Sequence, residues 1–580
     1  MAQPAAQRAR PQARPQLTAL AFGLASACLL VFQLGYTFET GDQLQYLLLP
    51  YRELFANFLP GDWFTWHTSH YHLSFSWLVR AVHSIAGPTG FARAMFLVHC
   101  LNLAWFGYAI WRLALALGLG PVEASFCVGV LALVRQIGLA GAVVNHAGLV
   151  PADLALAPFL LAAAASCERR SLALGCWLGI SGLLHANYAV LGPMLLFPLE
   201  LWRARRLGTW ADCARSALAF GLIASPSLVL LLGTFLARDP APAAVAITLF
   251  VRSPHHYDLA AMRSDDFYFA ALLWLLSTAH LARGDGGPAR DAHRRLSALF
   301  LACIVLAAVG SGLHVLAITR LFGWRMSIPL YALWLLALGA GLRRFALERD
   351  WVGLGWGVSG CVLLVTFVQR DPLELSPWNT MPLWAAGMLA AFGAATAAQL
   401  WLHARTRAAV CALGCAAGIA VAGYVALPAS RAGAGLAARL HFLDAPIQIE
   451  PQLRKLFQVV RERTPADARF LIPPGQNQFR LHARRSVFVD WKCAPMKGDE
   501  ALEWKRRMLL AMGTPDFPAR GYELPRVADN LYYVRPLSEL ASLARTERLT
   551  HVLARRSNAG SSDATLRKLF TVGDYVIYEL

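Results

Sequence analysis

The sequence predicts an α-helical polytopic membrane protein of about 11–13 transmembrane helices, followed by a small α/β domain. Three observations predict this fold class. Thirteen apolar segments follow one another up to residue 428, arginine-rich loops lie on one side of nearly all of them, and the composition changes near residue 440. With 57% hydrophobic residues, 15% charged residues and a mean hydropathy of +0.45, the chain is too apolar for a soluble protein of 580 residues.

The apolar segments define the predicted transmembrane domain, residues 17–430. A helix needs about 20 residues to cross the hydrocarbon core, and fewer where neighbouring helices thin the bilayer. The number of spans is therefore predicted to within one or two, and residues 121–135 and 171–202 are the least defined. The segments are 17–36, 92–118, 121–135, 151–167, 171–184, 188–202, 216–237, 267–282, 296–318, 325–342, 351–368, 380–402 and 408–428.

The arginine pattern predicts the orientation. By the positive-inside rule, loops rich in arginine and lysine face the cytoplasm. Residues 1–16 are then a disordered cytoplasmic N-terminus, and thirteen spans place the C-terminal domain outside. These loops explain much of the net charge of +18, so no nucleic-acid partner is expected. The arginines concerned are Arg8, Arg10, Arg14, Arg169, Arg170, Arg203, Arg205, Arg206, Arg290, Arg294, Arg295, Arg343, Arg344, Arg349, Arg405 and Arg407.

Residues 440–580 are predicted to form the extracytoplasmic α/β domain, since roughly 140 residues suffice for one small core. Helices are expected at 448–463 and 498–512. Strands are expected at 468–473, 486–491, 551–554 and 575–580. Of eleven cysteines only Cys493 lies in this domain, so no disulfide framework is indicated. The domain contains neither a glycine-rich phosphate loop nor a GxSxG motif.

The first outer loop, residues 37–90, contains candidate catalytic carboxylates. Glu39 and Asp42 follow the first apolar segment directly, and Asp62 lies further along the loop. A carboxylate next to the bilayer is costly, which favours a functional role. Glu39 and Asp42 are three residues apart and would share one face of a helix. The alternative is that Asp42 caps a helix.

The second outer loop, residues 238–266, contains the run Pro254-His255-His256-Tyr257. Adjacent histidines near an acidic residue suit metal binding, proton transfer or phosphate contact. Consecutive rings point in different directions, so His255 and His256 are not a chelating pair. A polar interfacial loop is the alternative.

Arginines also occur on the outer side, against the general pattern. Arg320 lies between the ninth and tenth segments, and Arg325 begins the tenth. A guanidinium group is well suited to holding phosphate in a partly dry site, whereas snorkelling to lipid headgroups is the alternative. Asn145-His146 and His185-Ala186-Asn187 map to the same face, where a histidine at a helix end more often makes an ordinary hydrogen bond.

With these features the chain resembles the GT-C superfamily of integral-membrane glycosyltransferases, and a group of uncharacterised bacterial GT-C-like proteins. The resemblance rests on the topology and on the runs Gly41-Asp42-Gln43, Pro60-Gly61-Asp62-Trp63-Phe64, Pro254-His255-His256-Tyr257 and 468–492. Members of the superfamily usually have paired acids where this chain has Glu-x-x-Asp. The Trp-Trp-Asp acceptor signature is absent from the sequence, which argues against peptide N-glycosylation.

The resemblance implies transfer of a sugar from a polyprenyl-phosphate carrier to a glycan, lipid or protein acceptor, at the outer face of the bacterial inner membrane. Asp42 would be the base or a metal ligand, with Glu39 assisting. The substrate contacts would be Asp62, His255, His256, Tyr257, Arg320 and Arg325. The cofactor is left open, with a divalent cation, Mg²⁺ or Mn²⁺, as one option. Two other classes stay open: a transporter or flippase of a lipid-linked substrate, and a non-catalytic scaffold of the same shape.

Overall fold

A computed structural model describes residues 13–133, 138–236, 241–282, 287–368, 447, 449–557 and 566–580. These residues form a helical region up to residue 368 and an α/β domain from residue 449. The predicted segments 380–402 and 408–428 lie outside the described residues, as does most of the predicted N-terminal tail.

Each of the first eleven predicted apolar segments coincides with a helix. The α-helices of this region are α1 Ala13–Leu34, α2 Gln43–Tyr46, α3 Leu48–Leu54, α4 Trp63–His67, α5 Leu73–Ala116, α6 Pro121–Leu133, α7 Pro151–Cys167, α8 Ser171–Leu184, α9 Ala186–Leu207, α10 Trp210–Leu236, α11 Pro254–Tyr257, α12 Ser264–Ala282, α13 Pro288–Gly312, α14 Leu316–Thr319, α15 Ser327–Leu347 and α16 Trp351–Val368. Within the described residues, five helical spans are long and apolar enough to cross a membrane: Leu17–Leu34, Leu73–Ala116, Trp210–Gly233, Pro288–Gly312 and Gly323–Leu347.

Helix α5 is divided by a kink. Gly87 has a positive φ of 67°, a conformation that glycine adopts without steric cost, and Pro88 follows it. Residues after the kink include the predicted segment 92–118, and those before it belong to the predicted first outer loop. The kink thus separates a loop helix from a membrane helix.

The helices alternate in direction between two ends of the bundle. At one end, ion pairs join the arginine-rich connections: Arg112 with Glu168 at 2.8 Å, and Arg343 with Glu123 at 3.0 Å. At the other end, the backbone N–H of Thr37 donates to the carbonyl of Ala147 at 3.0 Å. The arginine-rich and acidic or histidine-rich connections therefore lie at opposite ends, as the sequence predicted. Which end faces the cytoplasm stays a prediction.

The C-terminal domain is built on a five-stranded mixed sheet in the order β2-β1-β3-β5-β4. Strand β1 pairs in parallel with β2 and β3, and β5 pairs antiparallel with β3 and β4. The strands are β1 Arg469–Leu471, β2 Ser486–Val487, β3 His551–Arg555, β4 Arg567–Val572 and β5 Tyr575–Glu579. The helices are α17 Pro451–Arg463, α18 Phe479–Ala483, α19 Gly498–Met512, α20 Glu523–Val534 and α21 Leu537–Thr546. Strand β4 and helices α18, α20 and α21 were not predicted.

This domain is docked on the end of the helical region that carries the predicted outer loops, 37–90 and 238–266, and this end is called the outer end on the strength of that prediction. The backbone N–H and hydroxyl of Ser69 both donate to Glu500, at 3.0 and 2.7 Å. The hydroxyl of Thr248 donates to the carbonyl of Pro495 at 2.8 Å. Two separate outer loops therefore contact the domain, and a space lies between them.

Candidate functional site

A cavity of about 310 Å³ lies between the outer end of the helices and the C-terminal domain. This size is at the lower end of the range for small-molecule sites. Its lining comes from the first outer loop, from the segments around residues 141–152, 185–190, 248–257 and 320–325, and from Ala494 and Met496 of the domain. The polar side chains on its wall are Asp42, Gln45, Tyr46, Ser69, His70, Tyr71, His72, His146, His185, Asn187, Thr248, Arg252, Ser253, His256, Tyr257, Arg320 and Arg325.

Asp42 is the one carboxylate among the residues that line this cavity. Its side chain is 41% exposed, and this exposure faces the cavity. The ammonium group of Lys492, from the C-terminal domain, donates to Oδ1 at 2.5 Å. Burial acts to raise the pKa of Asp42, but the charges of Lys492, His146 and Arg252 outweigh it and hold the pKa below its usual range. Asp42 is therefore a stable anion and a weak base.

His146 stands next to Asp42, with Nε2 3.9 Å from Oδ2 of the carboxylate. Its other ring nitrogen, Nδ1, is 2.8 Å from Oδ1 of Asp153, and its backbone N–H donates to Oδ2 at 2.9 Å. The side chain of Asp153 is fully buried in the first turn of α7. Burial acts to lower the pKa of His146, but the charge and hydrogen bond of Asp153, together with Asp42, raise it overall.

Close backbone packing brings the His146 segment to the first outer loop. A Cβ added at Gly148 would come within 2.7 Å of the Thr37 carbonyl and 2.9 Å of Nε2 of Gln43. The amide of Gln43 also donates to the carbonyl of Leu149 at 3.0 Å. Glycine at position 148 therefore allows the two loops to meet and sets the distance between His146 and Asp42.

Arg325 forms a cationic wall of the cavity. Its Nε is buried and has no hydrogen-bond partner, and none of the described acidic side chains forms an ion pair with it. The guanidinium group stacks 5.1 Å from the ring centroid of Phe322. Next to it, His72 and His185 pack with ring centroids 5.0 Å apart, and Nδ1 of His72 is also buried without a partner. Burial, followed by the charge of Arg325, lowers the pKa of His72 to about 3, so this ring is neutral at pH 7.

Arg252 lies across the cavity on a π-helical turn, Ile247–Arg252. It donates to the hydroxyl of Ser253 at 2.7 Å and to the carbonyl of Lys492 at 3.1 Å, and it stacks 4.7 Å from the ring of Trp491. These acceptors are neutral, so its charge is not cancelled by a carboxylate contact within the described chain. Arg320 also lines the cavity.

The His-His pair is divided between two environments, as expected for consecutive residues. His256 and Tyr257 line the cavity, and Nδ1 of His256 is 2.6 Å from the carbonyl of Ala140. Burial lowers the pKa of His256 to about 4. His255 lies away from the cavity wall and stacks on Tyr522 of the C-terminal domain, with ring centroids 4.0 Å apart.

Glu39 is directed away from the cavity. It has a positive φ of 56° in the turn before α2, so it does not share a helix face with Asp42. The hydroxyl of Tyr51 donates to Oε1 at 2.5 Å, and Nδ1 of His482 is 3.4 Å from Oε2. Burial raises the pKa of Glu39 despite these contacts. Its position favours a structural role. The side chain does not line the cavity, so it has no direct access to a substrate there, contrary to the predicted assistance to Asp42.

Asp62 is fully buried beneath the C-terminal domain, outside the cavity wall. It caps α4 by accepting from the backbone N–H of Thr65 at 2.9 Å. It also accepts from Nε of Arg480 at 3.0 Å, and the same guanidinium donates to Asp490. The predicted substrate contact at Asp62 is therefore replaced in the structure by a buried ion-pair network that joins the two parts of the chain.

The described residues do not fit a preformed metal site. They contain no group of three His, Cys, Asp or Glu side chains placed to hold a metal ion. Mg²⁺ and Mn²⁺ favour several oxygen ligands, whereas the cavity offers one carboxylate, which is already bound to Lys492. The described cavity residues therefore do not suit a divalent cation.

Several cavity residues were absent from the predicted site. The sequence drew attention to His146 and His185 only as polar points, and His72 and Arg252 were given no role. Lys492, which binds Asp42, was considered only as part of a sugar-stacking surface at Asp490-Trp491-Lys492. Asp153 carried a readable signal: Pro151 at a helix start with an acid in the first turn, seven residues after His146. The pairing of Lys492 with Asp42 had no such signal, because the two residues are 450 positions apart.

Known proteins resemble this chain either over a short stretch or at low sequence identity. A family model described as a domain of unknown function, DUF6798, matches residues 451–511. No functionally curated protein matches the chain. Among solved structures, the chain is similar to ArnT from Cupriavidus metallidurans bound to undecaprenyl phosphate, with 15% identity and a TM-score of 0.49 over 98% of each chain. At this level of similarity, no residue role passes from that protein to this one.

Proposed function

We propose that the chain is a membrane glycosyltransferase that takes a sugar from a polyprenyl-phosphate carrier and transfers it to an acceptor at the outer face of the membrane. On this proposal the N-terminus is cytoplasmic and the C-terminal domain is extracytoplasmic. The observation that supports it best is the charge of the cavity. Two arginines, Arg252 and Arg325, share its wall with one carboxylate, Asp42, which is itself paired with Lys492 of the C-terminal domain.

This excess of positive charge suits a phosphate leaving group. A sugar–phosphate–lipid donor is a diester with one negative charge, and the departing lipid phosphate gains a second. Hydrogen-bond donors that the protein holds in place before the reaction stabilise such developing charge without having to reorganise. Arg325 and His72 offer buried nitrogen atoms without partners for this purpose. Their protein surroundings are partly dry, which strengthens the contact.

The cavity also has an apolar part, which suits the lipid portion of such a donor. Val190 of α9 and Leu231 of α10 line it on the membrane side. A carrier held by its phosphate in the cavity would continue between these helices into the bilayer. A free sugar nucleotide would have no need of this apolar wall.

The reaction we propose is a displacement at the anomeric carbon. The bond between this carbon and the phosphate oxygen breaks, and its electron pair passes to the lipid phosphate, beside Arg325. The acceptor atom forms the new bond to the anomeric carbon and gives up a proton to a base of the site. The ionised Asp42 on the wall of the same cavity would then stabilise the positive charge that develops on the sugar ring.

Binding of undecaprenyl phosphate to the full chain in nanodiscs tests the phosphate site. Arg325→Met should weaken binding about 10–100-fold, the equivalent of the 1.5–3 kcal/mol of a charged hydrogen bond. Arg80→Met is a matched control, because Arg80 is half exposed in the outer part of α5 and pairs with Glu53. Equal affinities of wild type, Arg325→Met and Arg80→Met would contradict the assignment.

Turnover is measured with a panel of polyprenyl-phosphate sugars. Asp42→Asn should abolish carrier-dependent transfer while the protein remains folded and inserted. Normal transfer by this variant would remove Asp42 from the mechanism.

A non-catalytic scaffold that binds a lipid phosphate is the second candidate. The ion pair between Asp42 and Lys492 favours it, since a satisfied carboxylate is what a purely structural contact would look like. Tight carrier binding without turnover of any donor would support this candidate.

A further inference from the structure

We infer that His146, held by Asp153, is the group that accepts the acceptor's proton, while Asp42 acts as a fixed negative charge. This inference deepens the proposed function and rests on it for the reaction concerned. The inference rests on the geometry of His146, Asp153 and Asp42. His146 and Asp42 line the cavity, whereas Asp153 lies behind His146 and does not line it.

The hydrogen bonds of Asp153 determine the tautomer of His146. Both carboxylate oxygens are engaged by His146, one by the backbone N–H at 2.9 Å and one by Nδ1 at 2.8 Å. An ionised carboxylate only accepts hydrogen bonds, so Nδ1 carries a proton. In the neutral ring Nε2 then has the free lone pair. This nitrogen is directed toward the cavity side, 3.9 Å from Asp42.

A buried acid that orients a histidine, whose far nitrogen faces the substrate, is the arrangement that makes imidazole an effective base. The acid fixes the ring and stabilises the imidazolium that forms when the proton arrives. Asp153 is fully buried at the start of α7, so it is held in place for this purpose.

Asp42 is the weaker base of the two neighbours. Its ion pair with Lys492 stabilises the charged form, and its pKa lies below the usual range of an aspartate. His146 has the opposite shift, since Asp153 and Asp42 both favour its protonated form. A base is most effective when its pKa lies near the working pH, and this condition favours His146.

The groups that act on His146 come from every element around it. Asp153 of α7 and Asp42 of the first outer loop favour the imidazolium, and Arg325 of the Gly323–Met326 turn opposes it. His99 of α5 interacts with both His146 and Asp153. The proton taken from the acceptor resides on Nε2 and is released to water of the cavity after the product leaves.

The pH dependence of turnover by the full chain in nanodiscs tests this inference. Wild type should show a rate that rises with pH as His146 loses its proton. In His146→Gln, kcat should fall about 10²–10⁴-fold, the usual contribution of a general base. The remaining rate should no longer rise with pH over this range. Asp153→Asn keeps the shape of the side chain but removes its charge. In this variant the pKa of His146 should fall. The pH range over which the rate rises should therefore move to lower pH, and kcat should decrease.

His314→Gln and Asp212→Asn serve as matched controls and should leave both kcat and the pH profile unchanged. His314 is more than half exposed and lies outside the cavity wall, and Asp212 is half exposed at the start of α10. A merely structural role for Asp153 would lower activity without moving the pH profile.

Carbethoxylation of histidine by diethyl pyrocarbonate gives a second readout that needs no turnover, because the reagent modifies only the neutral ring. Peptide mass spectrometry across pH then gives the midpoint for His146. Asp153→Asn should move this midpoint to lower pH.

If the proposed function is wrong, no sugar donor is turned over at any pH. A carbethoxylation midpoint of His146 that still moves in Asp153→Asn would then support the pairing of His146 with Asp153 by itself. An unmoved midpoint overturns the inference with or without turnover. Normal turnover by His146→Gln overturns it as well.

Discussion

The network of Arg480, Asp62 and Asp490 predicts that one arginine holds the C-terminal domain on the first outer loop. The three side chains are exposed by 3%, 0% and 1%. Arg480→Met removes the cation and leaves two buried carboxylates facing each other. Removing one partner of a buried ion pair costs about 3–5 kcal/mol.

The remaining hydrogen bonds place this variant at the lower end of that range. Asp62 keeps the backbone N–H groups of Thr65 and Val487, at 2.9 and 3.1 Å, and Asp490 keeps that of Cys493 at 2.7 Å. We therefore expect a loss of about 3 kcal/mol. For a domain of this size, the loss corresponds to a fall in Tm of roughly 10–15 °C.

Thermal unfolding of the full chain in detergent measures this loss. Hydrogen exchange of the peptides around Trp491 and Trp504, which are buried in the domain's core, shows whether the domain takes part in this unfolding. Arg567→Met is the matched control. Arg567 pairs with Glu579 on the surface, with 73% of its side chain exposed, and such pairs contribute about 0–1 kcal/mol.

The pH dependence provides a second check with a definite sign. Burial already raises the pKa of Asp490 in the presence of Arg480, and loss of the cation raises it further. The folded variant then binds more protons than the unfolded chain, so its stability increases as pH falls. The deficit of Arg480→Met should be smaller at pH 5 than at pH 8. Equal Tm values for Arg480→Met and Arg567→Met would refute the assigned role of the network.

Three further outcomes are expected. Lys492→Met removes the largest of the charges that lower the pKa of Asp42, so that pKa should rise, and the loss of kcat on protonation of Asp42 should begin at higher pH than in wild type. Gly148→Ala places a Cβ within 2.7 Å of a backbone carbonyl of the first outer loop, so kcat should fall while undecaprenyl phosphate still binds. Tyr51→Phe removes the hydroxyl bonded to Glu39 and should lower stability by about 1.5–3 kcal/mol in the thermal assay, without direct loss of phosphate binding.

The membrane fold could be predicted from the sequence because its causes are local. A run of apolar residues forms a helix in lipid whatever its neighbours are, since the backbone must satisfy its own hydrogen bonds there. The eleven apolar segments that fall on described residues therefore coincide with helices. In the C-terminal domain, β4 escaped prediction because it runs Arg567-Lys568 at its start and buries little more than Val572.

The candidate site could be predicted only in part, for a physical reason. Asp42, His256, Tyr257, Arg320 and Arg325 share the cavity wall because they lie on connections at one end of the helices, and the alternation of helices determines that end.

Glu39 and Asp62 lie on the same connections, but their environment depends on His482 and Arg480, more than 400 positions away along the chain. No local pattern distinguishes a carboxylate that faces a cavity from one that is covered by a distant domain.

The contacts of residues 480–496 connect the docking of the C-terminal domain with the cavity. Arg480 binds Asp62 beneath the domain, whereas Lys492 binds Asp42 at the cavity, and both belong to the stretch 451–511 matched by the family model. The same short segment therefore docks the domain and sets the charge state of the one acidic group in the cavity. A substitution that loosens docking should also release Lys492 from Asp42. Arg480→Met is thus expected to lower both stability and turnover, whereas Lys492→Met should change turnover alone.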